Sequence, residues 1–531
     1  MNLVRDPWLP FRLKDGTETV LPVSAICRPD IVDFALPRAD FQGAAYQFVI
    51  GLLQTVFAPV DKYEWHERYE SPPVESELQK AFYAVMHAFN ATGDGPLFMQ
   101  DFESLSGQDL TTVAGLLIEA PGANGIKNNT DHFVKRGIGS VMSLEMAALA
   151  LFTLQVNAPS GGAGHRVGLR GGGPLTTLVL TQSTDASLWN KLWLNVINKD
   201  FWRYPEPDLT DGSVFPWLVS TQTSEKKGSE IYADQVHPLH MYWAMPRRVR
   251  LNVVEKETTC EISGHSSNLV VTEYRTQNYG ANYSGTWSHP LTPYKWNPKK
   301  PEEEHLSAKG QPGGITYKVW DALTFSSDVE GQQCALVIRH YSEICAGFKE
   351  YSSEYPCVWV FGYDMDNMKA RCWYTNTMPL FAVDANQQDD VCQLVKGFQK
   401  LAADALWHCR TQIKTAWFEA PSDAKGDFSF IDLAFWQRTE SAFFEVVSNI
   451  VANTVSYSPS ISPAQANDWL ITLRRVTTDL FDEYALSELG SERSMAKRIK
   501  ARQSLTSWLY GGKDIKDFIK EYQIGQLQEA S

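Results

Sequence analysis

The sequence predicts an α+β protein, a large mixed N-terminal domain over residues 1–380 followed by a C-terminal four-helix bundle over 381–531. Two observations carry this. After about residue 384 the chain turns into long amphipathic stretches, four in number, with apolar residues at i, i+3, i+4 and i+7. Before that point, short β-like runs alternate with single helical patterns and with loops dense in Trp, Tyr, Gly and Pro. At 531 residues, 44% hydrophobic and 12% aromatic, the chain is long and apolar enough for two or three packed cores.

Taken in order, 8–13 and 19–23 read as an initial hairpin around an Asp-Gly turn. Residues 40–58 carry Ala44, Phe48, Leu52 and Val56 at helical spacing until Pro59 stops the run, and 75–89 repeats the pattern. Residues 121–140 are too polar and glycine-rich for an element interior and read as a long loop. A helix is expected over 143–158 and a β-run over 175–180, with further β-runs at 249–254, 269–272, 335–338 and 358–361. In the bundle, Val391, Leu394, Val395, Phe398, Leu401 and Ala405 form the first stripe, and Phe443, Val446, Val447 and Ile450 the second. Pro463 opens a third helix with Trp469, Leu470, Leu473, Val476 and Leu480. Ser491 caps a fourth that ends near Gly511 and bears Arg493, Lys497, Arg498, Lys500 and Arg502 on one face.

The net charge of −14 excludes a protein that coats nucleic acid by bulk electrostatics, while leaving room for a local basic site. The first ten residues lack the basic start and apolar run of a signal peptide, and no window offers the roughly 18–20 apolar residues that span a bilayer, so we expect a cytoplasmic protein. The eight cysteines have no paired spacing and are expected as reduced thiols.

Chemistry concentrates in 159–174, which holds seven glycines with His165, Arg166 and Arg170. Such a backbone can reach positive φ and approach a ligand closely. It matches neither G-x-x-x-x-G-K-[ST] nor a strand-to-helix G-x-G-x-x-G. A phosphate loop of a nucleotide- or phosphate-ester-using enzyme is the alternative function for it, and a plain structural turn is the blander one. Asn129, His132, Phe133, Lys135 and Arg136 join an aromatic to cations, a combination suited to a nucleotide. The turn 362–369 is tipped by Asn367 and Met368, with Lys369 beside them. It reads either as an ordinary hairpin turn or as a wedge between bases. Cys260 and His265 are half of a zinc knuckle, but Ser263 stands where a second cysteine is needed; with His237, His240 and Cys334 dispersed, no metal or other cofactor is assigned. No catalytic set is found: G-x-S-x-G, H-E-x-x-H and a papain-like cysteine are all missing.

On the opening Met-Asn-Leu-Val-Arg-Asp-Pro-Trp-Leu-Pro, residues 129–136, the block 158–174 with its following Leu-Thr-Thr-Leu, residues 362–373 and the bundle, the chain resembles the CasA family, the large subunit of the type I-E CRISPR Cascade complex. The resemblance implies a non-enzymatic role: recognition of the protospacer-adjacent motif in double-stranded DNA, opening of the duplex and R-loop formation, and recruitment of a helicase–nuclease. The guide RNA reads the rest. It implies that Ser160, Gly161, Gly162, Ala163 and Gly164 are the minor-groove glycine loop, that Asn367 and Met368 are the wedge, and that 129–136 meets the guide RNA or a neighbouring Cascade subunit. Where relatives place a lysine finger this chain has Asn278, with Arg275 close by. Arg275, Asn278, Lys369, Lys497 and Arg498 complete the DNA-binding candidates, the last two letting the bundle hold a strand. A scaffold that touches only protein is the third reading.

Overall fold

In the computed structural model the first strands, β1 (Leu9–Leu13), β2 (Glu18–Leu21) and β3 (Ile31–Phe34), form an antiparallel sheet in the order β2-β1-β3. The structure describes residues 1–120, 138–162, 164–183, 186–347, 356–366, 368–384, 386–424, 426–453, 459–487 and 492–525. The predicted contact loop 129–136, with Asn129, His132, Phe133, Lys135 and Arg136, lies outside them, as do Ala163 and Asn367.

Helix α1 (Ala39–Val56) follows, and all but three of its residues are buried, so it runs through the core of the first unit. There Phe48 meets Phe89, Phe98, Phe152 and Trp243 edge to face, with centroids at 5.7–5.9 Å. Such contacts fix ring orientation as well as excluding water. Two short helices, α2 (Lys62–Glu70) and α3 (Glu75–Tyr83), come next; the Asp61 carboxylate caps α2 by accepting from the Tyr63 and Glu64 amides.

A second sheet joins β4 (Leu110–Thr112), β5 (Met142–Ser143), β7 (Arg248–Thr259) and β8 (Ser266–Gln277), with the long β7 and β8 as its antiparallel spine. A buried helix, α4 (Leu144–Asn157), leaves β5 and delivers the chain to the glycine stretch. Beyond that stretch, β6 (Thr176–Thr181) pairs antiparallel with β11 (Pro356–Asp366), which pairs with β12 (Lys369–Pro379). Between β6 and β7 lies a six-residue helix, α5 (Leu188–Trp193), and a short pair, β9 (Tyr294–Lys295) with β10 (Leu306–Ser307), follows β8.

One expectation is corrected. Of residues 335–338, read as a strand, all but Ala335 belong to helix α6 (Leu336–Gly347). The run is only four residues long, too short for its period to be told, and Tyr341 and Ile344 continue it at helical spacing on the buried side.

The chain divides into two compact units, one formed by Met1–Gly310 and Cys334–Thr375, the other by Gln311–Gln333 and Asn376–Ser531. In the second, α7 (Gln388–Trp417), α8 (Ser429–Asn453), α9 (Pro463–Leu486) and α10 (Glu492–Gly511) form the bundle, followed by α11 (Lys513–Glu521). The stripes are read as expected: Val391, Val395, Phe398, Phe443, Val447, Ile450, Trp469, Leu473 and Leu480 are all buried. Ser462 and Gln465 form a capping box, with Pro463 at the first helical position. The excursion Gln311–Gln333 supplies Tyr317, which stacks on Phe443 at 4.1 Å and hydrogen-bonds Thr439 at 2.8 Å.

Candidate functional site

Helix α4 ends at Asn157, and Ser160, Gly161 and Gly162 then emerge exposed. The turn closes on itself: the Gly161 amide donates to the His165 carbonyl at 3.3 Å, and the His165 amide to the Gly162 carbonyl at 3.2 Å. Gly162 has φ +84° and Gly164 φ +80°, the left-handed region where a Cβ is strained. Gly162 points into open space, with no described atom within 4 Å of where a Cβ would stand. Gly164 does not: its Cβ would lie 2.7 Å from that of Asn278, and its carbonyl accepts the Tyr279 amide at 2.7 Å. The structure therefore joins two candidates from distant sequence, Gly164 and Asn278, just past the end of β8.

Arg247 anchors the turn from below. Its Nη2 donates to the Pro159 carbonyl, and its Nη1 would stand 2.6 Å from a Cβ on Gly161. The Gln155 amide holds it, its Oε1 accepting the Arg247 N–H and its Nε2 donating to the Arg247 carbonyl, each at 2.9 Å. Burial is the first cause that pushes the Arg247 guanidinium down to about 10, so it remains a buried cation at neutral pH. Burial also pushes the His165 imidazole down, and the Arg247 charge pushes it further.

The second half of the stretch is packed. Gly168 donates to the Ala158 carbonyl at 2.9 Å, and a Cβ on Gly172 would meet Pro159 Cα at 3.2 Å. Gly173, with φ +64°, has Met365 Cγ 2.5 Å and the Tyr363 carbonyl 2.8 Å from its Cβ position. Its neighbour Pro174 bridges to Lys309, and Gly310 bridges to Asp364. The stretch is thus stitched to the hairpin of β11 and β12. Close to the turn of that hairpin the Arg371 guanidinium grips the buried Asp364 carboxylate at 2.7 and 3.0 Å. At its tip Met368 is 52% exposed and Lys369 is exposed, an apolar tip with a cation beside it.

Neither arginine of the stretch faces solvent as a free cation. Arg166 donates to the Ser224 hydroxyl at 2.7 Å and carbonyl at 2.9 Å. Arg170 is buried and donates to Thr176, Thr292, Gln47 and the Val156 carbonyl at 2.9–3.1 Å. Arg275 lies on β8, where its Nε donates to the Gln108 carbonyl at 3.2 Å. In the bundle, Lys497 donates to the Phe418 carbonyl at 2.5 Å and pairs with Glu419 at 3.4 Å. Arg502 grips Asp482 at 2.6 and 3.0 Å, and Arg498 is half-buried. Part of the basic face on α10 is therefore engaged within the bundle.

Two of the residues weighed as metal ligands in the sequence, Cys260 and His240, are held by protein groups. The Cys260 thiol is buried and accepts the Ser263 amide at 3.5 Å in the tight turn between β7 and β8. His240 bonds the Ser213 carbonyl and the Tyr283 hydroxyl, and burial pushes its imidazole down to about 4. Among the described residues no group of three or more His, Cys, Asp or Glu could hold a metal, and no helix is long and apolar enough to cross a membrane. Sequence reading missed Arg247 and Lys309. Nothing local marks either one, because both are recruited by contacts with the glycine stretch.

The fold is shared with solved proteins. CasA (Cse1) from Thermus thermophilus superposes with a TM-score of 0.66 at 15% identity, covering 96% of this chain and 99% of that one. Cse1 from Thermobifida fusca gives 0.66 at 15% identity, covering 98% of each chain. A chain from a structure described as a CRISPR RNA-guided surveillance complex gives 0.64 at 15% identity, with 96% and 99% covered. The family model for CRISPR-associated protein Cse1 matches residues 2–480, and the chain belongs to that family.

Proposed function

We propose that this protein is a non-catalytic subunit of an RNA-guided CRISPR surveillance complex that recognises the protospacer-adjacent motif in double-stranded DNA. Its other partners are the guide RNA, the remaining subunits and the helicase–nuclease it recruits. The observation that carries this is the exposed turn at Ser160, Gly161 and Gly162, with open space over Gly162. A backbone without side chains can enter a groove about 6 Å wide and read its coarse pattern and shape. Packing supports the partnership of loop and wedge, since Gly173 and Met365 tie the stretch to the hairpin that presents Met368. An apolar tip of this kind can separate stacked bases. The shared fold with a surveillance-complex chain supports the setting.

The phosphate-loop alternative is weakened by its cations. Arg166 and Arg170, the two cations within the stretch itself, both donate to protein groups.

The test is Gly162→Asn in the reconstituted complex. Asn tolerates the left-handed region, so the turn survives while a side chain now fills the approach. Binding to motif-bearing duplex should fall at least about tenfold, a loss of about 1.4 kcal/mol. Unchanged affinity would overturn the groove-probe assignment. For the wedge, an Asn367→Ala, Met368→Ala complex should bind the motif but give a smaller 2-aminopurine signal beside it; an unaltered signal removes that role.

A further inference from the structure

Three arginines of the first unit, Arg170, Arg247 and Arg248, are buried, and they differ in what neutralises them. Arg248 has Asp101, its Nε 2.6 Å from the carboxylate. Arg170 has no carboxylate, but four neutral acceptors surround its two terminal nitrogens. Arg247 is 91% buried and has neither. Its side chain donates to the Pro159 carbonyl, its Nε is buried without a hydrogen-bond partner, and no carboxylate pairs with it among the described residues. A buried charge is normally paired or fully hydrogen-bonded.

The position of the deficit is informative. Nη1 lies directly beneath Gly161, where a Cβ would stand 2.6 Å away, so only the thin backbone of the loop separates the guanidinium from whatever the exposed turn touches. Neighbouring groups do not supply an anion: Gln155 and Tyr274 are neutral, and His165 is held toward its neutral form.

We infer that Arg247 completes the glycine loop as a positioning residue and that its counter-ion is a phosphate of the bound duplex, one backbone phosphate at the edge of the groove the loop enters. This rests on the DNA-recognition reading above. Gly161 gains a reason of its own, since any side chain there would displace the guanidinium and thicken the layer between it and the phosphate. In the free protein the charge is stored uncompensated under the loop, and binding discharges it.

The experiment is the salt dependence of duplex binding by the complete complex carrying Arg247→Gln or Arg247→Lys, beside wild type and Gly162→Asn. Each neutralised phosphate contributes about 0.9 to the slope of log K against log salt. Arg247→Gln should lower the slope by about that amount, so that between 50 and 200 mM salt its affinity falls roughly threefold less than wild type. Arg247→Lys, which keeps the charge, should keep the slope. A weaker affinity with the wild-type slope in Arg247→Gln would make Arg247 a purely structural prop and overturn the inference. Should the Gln complex fail to assemble, a slope lowered by the same amount in Arg247→Lys overturns it equally. If Gly162→Asn binds as wild type, it is the groove reading that fails, whatever the Arg247 slopes show.

Discussion

The two halves of the glycine stretch look alike in sequence and do opposite things in the fold. At Ser160, Gly161 and Gly162 the chain is exposed and Gly162 faces empty space, whereas Gly168, Gly172 and Gly173 lie against backbone and against Met365. At Gly172 and Gly173 glycine is required because neighbours are too close; at Gly162 it is required by a positive φ and by whatever approaches from outside. Substitution costs should therefore run in opposite directions, with stability lost in the packed half and DNA binding lost in the open one.

The sharpest break of that contrast is Gly173→Ala. Overpacking against Met365 and the Tyr363 carbonyl, added to a positive φ, should cost about 2–4 kcal/mol, measured by chemical denaturation. A cost below about 0.5 kcal/mol would mean that the second half is no tighter than the first. Next comes acid. His240 belongs to the packed frame, and its folded value of about 4 lies below the ordinary 6.5, so the unfolded chain binds the extra proton between those limits. Its contribution is fully present above about pH 6.5 and is lost as pH falls toward 4, by about 3 kcal/mol in all. A His240→Gln variant should show a correspondingly flatter stability profile over that window. Smaller still is Gly162→Ala, which meets no neighbour and should cost about 1–2 kcal/mol from φ alone while weakening duplex binding. Smallest is Ser160→Ala, exposed and expected within about 0.5 kcal/mol of wild type in stability.

The bundle was the most legible part of the sequence, because long helices repeat their period many times; the stripe from Val391 to Ala405 is seen over four turns. The Pro-opened helix at Pro463 was legible through its cap as well. Short apolar runs were not: Ala335 to Ile338 fit a strand and a helix equally, and burial on α6 decided it. At the site, the glycine stretch announced itself through composition, but its division into two halves did not. That division depends on Asn278, Lys309 and Met365, which are far away in sequence and come close only through the sheet formed by β7 and β8 and the hairpin of β11 and β12. Arg166 and Arg170 drew notice as cations beside glycines, yet both are braces. The arginine without a counter-ion, Arg247, sits in an unremarkable Pro-Arg-Arg run at the start of β7.

The excursion Gln311–Gln333 has a consequence during synthesis. Tyr317 must wait for Thr439, 122 residues downstream, before its hydroxyl and ring find their partners. At about 5–20 residues per second, that segment stays without its bundle for roughly 6–24 s on the ribosome. Tyr317 and Trp320 are aromatic and fully buried in the finished protein, so for that interval the nascent chain carries a sticky segment that a holding chaperone would recognise.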